Sequence, residues 1–206
     1  MHARRIVLVG DSIAYGRGDQ HGIGWSGLLQ REHVAQDAES NRYFNLSISG
    51  IGSAEVRRIV QSEVPFRSPD LVVLAYGIND ARRVGSRSGP YPLTMEHSAD
   101  LFASNIEDIR SLGSEVLAVG LIKPDTSRTM PLFGDYFDTV PALDLEKRLA
   151  DICKQLEVPR VDLWSLFDGH PDRLVDGLHP EALAIKRSTR LSARNWSKHT
   201  LRSWDG

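Results

Sequence analysis

Three short, uninterrupted apolar runs do most to limit what this chain can fold into: Ile6-Val7-Leu8-Val9, Leu71-Val72-Val73-Leu74-Ala75-Tyr76 closed by Gly77, and Val116-Leu117-Ala118-Val119 continuing through Gly120 to Leu121. A strand with one face in water alternates apolar and polar residues, whereas a short continuous run ended by a turn residue fits a strand buried on both faces. Weaker runs occupy residues 43–46 and 158–163. Between the runs, helical spacing appears over residues 25–34, 54–64, 100–112 (Leu101, Phe102, Ile106, Ile109) and 141–156 (Leu145, Leu149, Ile152). Strands covered on both sides need a helical layer on each face, so the alternation predicts an α/β protein with a five-stranded parallel sheet. Five strands and five helices account for all 206 residues, as one domain over residues 1–206 without an internal repeat.

A chain of this length buries a core without disulfides. Its single cysteine, Cys153, falls on a helix and is expected in the core. One cysteine forms no internal disulfide, which fits a reducing, cytoplasmic setting. The first apolar run is too short for a secretory core, and no run reaches membrane-spanning length. A formal net charge of -2 gives no basic field for nucleic acid. Oligomeric state is not readable here.

In a parallel sheet, strand-end segments gather at one edge, where open α/β folds bind ligands. Four segments there carry chemistry. Ser12, in Gly10-Asp11-Ser12, follows the first strand and presents a hydroxyl that needs a base to act as nucleophile. The next residue pair breaks the G-x-S-x-G elbow of ordinary α/β-hydrolases, because Ala14 stands at its second glycine. Asp176-Gly177-Leu178-His179-Pro180 places an acid three residues before a histidine. Asp176 can orient one ring nitrogen while the other serves Ser12. Pro180 suits the first turn of a terminal helix. Three groups can stabilise an oxyanion: the backbone N–H of Ser12, that of Gly50, and the side-chain amide of Asn79. Each segment taken singly also fits a plain structural role, as a helix cap, a turn glycine or an Asx turn.

Taken together, these segments resemble the SGNH/GDSL hydrolase family. Gly10-Asp11-Ser12 is similar to its first block, Gly50 to its second, Gly77-Ile78-Asn79-Asp80 to its third, and Asp176-Gly177-Leu178-His179-Pro180 to its fifth, in the family's order. Ile13 stands where the family name has leucine, and the fourth block has no clear counterpart. The resemblance implies a flavodoxin-like three-layer α/β/α sandwich and a hydrolase that needs no cofactor and no metal. It gives Ser12 the role of nucleophile, His179 that of base and Asp176 that of its orienter, with Gly50 and Asn79 as oxyanion donors. The expected substrate is a small carboxylic ester. Thioesterase or lysophospholipase activity is the alternative within the family, and a non-catalytic flavodoxin-like binding module the alternative outside it.

Two long loops, residues 81–94 and 123–139, follow strands and are expected to shape the substrate pocket through Tyr91, Met130, Phe133, Tyr136 and Phe137. Asp11 is grouped with them on the substrate side, its part limited to orienting the serine loop. The loops' mixed polarity favours short acyl chains. Other signals are weaker. Gly22-Ile23-Gly24-Trp25-Ser26-Gly27 spells G-x-G-x-x-G, but it follows a polar loop rather than a strand and reads as a turn into a helix. Asp168, His170 and Asp172 lack metal-ligand helix spacing. The basic stretch 186–202 reads as the solvated face of a helix. Trp25 and Phe102 are expected in the core.

Overall fold

The first and third strands form the centre of the molecule, and their side chains are almost completely buried. The computed structural model describes residues 3–181. Pro180, expected in the first turn of a terminal helix, instead bridges to Leu174, and the rest of that expected helix with its basic face lies outside the described residues. Five parallel strands make one sheet in the order β2-β1-β3-β4-β5: β1 Arg5–Gly10, β2 Arg42–Asn45, β3 Leu71–Ala75, β4 Glu115–Val119 and β5 Arg160–Val161. The central pairing sets Ile6 opposite Leu71 and runs to Gly10 opposite Ala75. Val7, Leu8, Val9, Val72 and Leu74 are inaccessible to solvent. Burying each such side chain contributes roughly 1.5–3 kcal/mol, which explains why these runs lack polar residues.

The helices are α1 Ser12–Tyr15, α2 Gly24–Gln36, α3 Ser53–Ser62, α4 Met95–Ser111, α5 Thr139–Gln155 and α6 Leu163–Phe167. Helix α3 packs on α4, and α4 on α5, whereas α2 packs on α1 and β2. The β1-to-β2 step runs one way across the sheet and all later steps run the other way. Right-handed crossovers therefore put α2 on the face opposite α3, α4 and α5, which gives three layers. Chain direction switches between β1 and β3, so a crevice opens between their carboxyl ends. Ser12 follows one of these strands and Asn79 the other.

Element boundaries differ from the expected ones where polar residues do structural work. Helix α4 starts at Met95, five residues early, because Thr94 caps it by accepting the His97 N–H (3.1 Å). The last strand shrinks to Arg160–Val161, since Asp162 turns the chain by capping α6. Arg160 pairs there with buried Glu146, whose other oxygen accepts the Leu121 N–H at 2.8 Å. Trp25 is half-buried and donates from its indole to the Ile13 carbonyl (3.0 Å), tying α2 to the serine turn. Cys153 and Phe102 lie in the core. Gly24 begins α2 with its backbone against Gly16, so the glycine-rich segment forms a close chain crossing.

Beneath the crevice the chain is tightly fixed. A Cβ added to Gly10 would sit 2.4 Å from Ala14 Cβ and 2.5 Å from the Ala75 carbonyl oxygen. Only glycine lets the serine turn lie down on β3. Asp11, 2% exposed, caps α1 by accepting the Ile13 N–H at 2.9 Å. Burial pushes its pKa up to about 7 against the hydrogen bond from Ile13, and Asp80 adds repulsion. Asp80 caps α3 by accepting the Ser53 N–H and, at 2.8 Å, the Ser53 hydroxyl. Its pKa is also raised, mainly by burial.

Two predictions follow from these constraints. Gly10→Ala is expected to destabilise the fold by about 1–3 kcal/mol, because the clashing atoms belong to backbone and a fixed helix. Thermal melting checks this, and an unchanged midpoint would contradict it. For Asp11 the sign is set by the raised pKa: the folded chain keeps a proton that the unfolded chain releases from pH 3.8 upward. Stability from this group is therefore present at low pH and lost as pH rises to about 7. Asp11→Asn keeps the acceptor for Ile13 and removes the titration. Its melting temperature should gain on wild type more at about pH 8 than at about pH 5, and a gain independent of pH would contradict the assignment.

Candidate active site

Ser12 opens α1, so its backbone N–H sits at the first helical position and has no intrahelical partner. The hydroxyl lies 2.8 Å from His179 Nε2, across 167 residues of sequence. His179 Nδ1 lies 2.7 Å from Asp176 Oδ2. A carboxylate only accepts, so Nδ1 carries the proton and Nε2 is left to accept from Ser12. Asp176 Oδ1 also accepts the backbone N–H groups of Leu178 (3.0 Å) and His179 (2.9 Å). Burial raises the Asp176 pKa, but the bonds from His179 and Leu178 outweigh it and the net value falls to about 2. Asp176 therefore stays ionised behind the imidazole at any ordinary pH. Ser12 is 6% exposed and His179 2%, so their contact is screened little by water.

The Asp176–His179 turn needs outside support, because it belongs to no helix or strand of the described residues. Gly177 adopts φ +92, a conformation that favours glycine, and its carbonyl accepts the Asp125 N–H at 2.9 Å. Arg128 donates to the carbonyls of Leu174 (2.9 Å) and Pro171 (2.6 Å), just upstream of the acid. Val175 N–H closes the turn onto the His179 carbonyl at 2.8 Å. The loop after β4 thus carries the turn that carries the histidine.

Gly50 and Asn79 meet Ser12 in one cleft of ≈ 260 Å³. Gly50 follows β2 with φ +86, again a conformation suited to glycine. Asn79 Nδ2 donates to the Ile51 carbonyl at 3.0 Å. An amide has two N–H bonds, so one remains for the cleft. Asp80, through its cap on α3, locks the β3 loop to the β2 loop and fixes the spacing of the two donors.

Of the loop residues named from sequence, Phe133 and Phe137 line the cleft. Phe133 is 64% exposed at its rim and Phe137 is buried at its base. The structure does not bring the others there. Tyr91 lies under the Arg83 guanidinium, 4.3 Å from ring centroid to carbon. Tyr136 exchanges backbone hydrogen bonds with Arg83, which joins the two long loops. Met130 is half-buried among loop residues and is absent from the cleft wall. Asp11 points beneath the serine turn, away from where a substrate would sit, because its carboxylate is engaged as a cap. The cleft also contains Arg17, Ser49, Arg82, Leu132, Asp135 and Leu178, to none of which the sequence assigned a role at the site. Leu178 falls inside the Asp176–Pro180 segment, Ser49 beside Gly50, and Arg82, Leu132 and Asp135 on the two long loops, whereas Arg17 belongs to none of these.

The chain is similar to proteins already known. Residues 8–184 match the GDSL-like Lipase/Acylhydrolase family. Esterase TesA of Pseudomonas aeruginosa is 32% identical over 122 residues, covering 59% of this chain and 56% of that protein. The match therefore spans little more than half the length of that curated relative. Among solved structures, a lipase/acylhydrolase from Enterococcus faecalis superposes with a TM-score of 0.69 at 22% identity, covering 93% of this chain and 94% of the other. The acetylxylan esterase Axe2 from Geobacillus stearothermophilus superposes with a TM-score of 0.73 at 17% identity, covering 94% of each. At such identities these two structures speak for the fold alone. With the family match running nearly from end to end of the described residues, the chain belongs to the GDSL-like Lipase/Acylhydrolase family.

Proposed function

We propose that this chain is a serine esterase acting on small, short-chain carboxylic esters, with Ser12, His179 and Asp176 as its triad. The observation that carries this reading is the relay of two short contacts, 2.8 Å from Ser12 Oγ to His179 Nε2 and 2.7 Å from His179 Nδ1 to Asp176. A binding module has no need of a serine hydroxyl held on a buried histidine whose second nitrogen faces an ionised acid.

In the proposed cycle, Ser12 Oγ attacks the ester carbonyl carbon while Nε2 of His179 takes its proton. Negative charge grows on the carbonyl oxygen, stabilised by the N–H groups of Ser12 and Gly50 and by Asn79 Nδ2. The carbon–oxygen bond to the alcohol then breaks, and His179 returns the proton to that alcohol. Water repeats the sequence on the acyl-enzyme and frees the acid. Asp176 stabilises the imidazolium in both halves without itself taking the proton. Every step is met by this chain's own groups.

The cleft sets charged Arg17, Arg82 and Asp135 beside apolar Leu132, Phe133 and Phe137, a wall suited to a small acyl group more than to a long chain. The residues act within a single hydrolase domain, and the same proposal places it in the cytoplasm. No helix of the described residues is long and apolar enough to cross a membrane.

With p-nitrophenyl esters, wild type should turn over acetate or butyrate fastest, and Ser12→Ala should lose about 10³-fold or more in kcat. Equal rates for both proteins would remove the esterase reading, and a maximum at long chains would remove the short-chain preference. Asn79→Ala is expected to lower kcat by about 10²–10³ with a small change in KM, because the donor acts on the transition state. A loss confined to KM would contradict its oxyanion role.

A further inference from the structure

Two guanidinium groups and one carboxylate line the cleft, those of Arg17, Arg82 and Asp135. Arg82 lies 2.8 Å from Asp135 and is turned toward the carbonyls of Gly50 (3.4 Å) and Asn79 (3.3 Å). His179 has Asp176 behind it. Arg17 lines the same cleft, but its side chain makes no ion pair within 4.0 Å among the described residues. Its guanidinium carbon lies 4.2 Å above the centroid of the Phe133 ring. Stacking uses the flat face of a guanidinium, and its N–H donors radiate in the plane, so they remain open to an acceptor.

The position of Arg17 relative to the reacting atoms is fixed at several points. Its backbone N–H donates to the Ser12 carbonyl at 2.9 Å, and Gly16 before it turns the chain with φ +96. Gly18, next in sequence, lies against His179: a Cβ built on it would be 3.0 Å from His179 Cβ. The Phe133 ring that supports the guanidinium is itself 6.2 Å from the imidazole, centroid to centroid. Arg17 therefore stands on the histidine side of the cleft. That is the side on which His179 hands its proton to the departing alcohol, whereas the oxyanion donors belong to the Gly50–Asn79–Arg82 group.

From this placement we propose that Arg17 is a specificity-determining residue selecting esters whose alcohol portion carries one negative charge, a carboxylate or a phosphodiester. The inference rests on the esterase reading of Ser12 and His179. A single charge is favoured because Arg82 is already paired with Asp135, which leaves Arg17 as the cleft-lining guanidinium with no ion pair among the described residues. A guanidinium offers two parallel N–H groups to the two oxygens of such an anion. The Phe133 ring offers the exposed guanidinium a surface to rest on, which lowers the rotamer freedom to be lost on binding.

The test compares three acetyl esters: methyl 4-acetoxybenzoate (neutral), 4-acetoxybenzoate (carboxylate) and 4-acetoxyphenyl methyl phosphate (phosphodiester). The readout is kcat/KM for each anionic ester divided by that for the neutral one, in wild type, Arg17→Gln and Arg17→Lys. Using a ratio removes any general loss of activity or of folded protein. The ratio should fall about tenfold or more in Arg17→Gln for at least one anion, with partial retention in Arg17→Lys. The anion whose ratio falls further identifies the favoured group. If the neutral ester is cleaved in a Ser12-dependent way but neither ratio moves by more than about twofold, the inference is overturned and the esterase reading stands. If no ester shows Ser12-dependent turnover, both are overturned.

Discussion

Because all five strands run parallel, every loop that follows a strand leaves the sheet from the same edge. This constraint comes from hydrophobic burial. The central strands have no polar face, so each must be flanked by strands and covered by helices on both sides. The order β2-β1-β3-β4-β5 then fixes where a ligand can enter, because connections diverge only between β1 and β3. Ser12, Gly50 and Asn79 meet because they follow β1, β2 and β3, not because they are near in sequence.

Histidine is the exception, and its support is of a different kind. His179 follows β5 and α6 at a distance, on a turn held by Gly177, Arg128 and the Asp125 N–H. Rigid strands place the serine, whereas a web of polar contacts from the β4 loop places the base. The nucleophile and the base meet in the Ser12–His179 hydrogen bond. Beneath it lie Asp11 and Asp80, two buried carboxylates whose raised pKa values record the free energy of holding acids out of water. Their role is to cap α1 and α3, and so to hold the serine turn and the donor loops in register.

How much of this was legible in the sequence depends on the range of the force involved. Strands β1, β3 and β4 could be read directly, because burial on both faces removes every polar residue from the run. Helix α4 was read short at its start, since Thr94 and the polar residues after Met95 form a cap rather than an apolar stripe. The fifth strand was read too long, because the signal of Asp162 as a cap was lost in an apolar context. Ser12, Asp176 and His179 could be picked out because their spacing and order are chemically unusual. Tyr91, Met130 and Tyr136 were misplaced for the opposite reason: a loop's composition says nothing about which way its side chains turn, and the Arg83–Tyr136 pairing directs these residues into the scaffold. Arg17 carried no pattern of its own. It becomes meaningful only when Phe133, 116 positions away in sequence, comes to lie under it.

The most direct measurement is a crystal structure of the protein after reaction with a p-nitrophenyl alkylphosphonate. The phosphorus should be bonded to Ser12 Oγ, with one phosphoryl oxygen within hydrogen-bond reach of the Ser12 and Gly50 N–H groups and Asn79 Nδ2, and with His179 Nε2 facing the vacated leaving-group position. An adduct on another residue, or a phosphoryl oxygen turned away from Gly50 and Asn79, would contradict the assignment of this cleft as the site of acyl transfer.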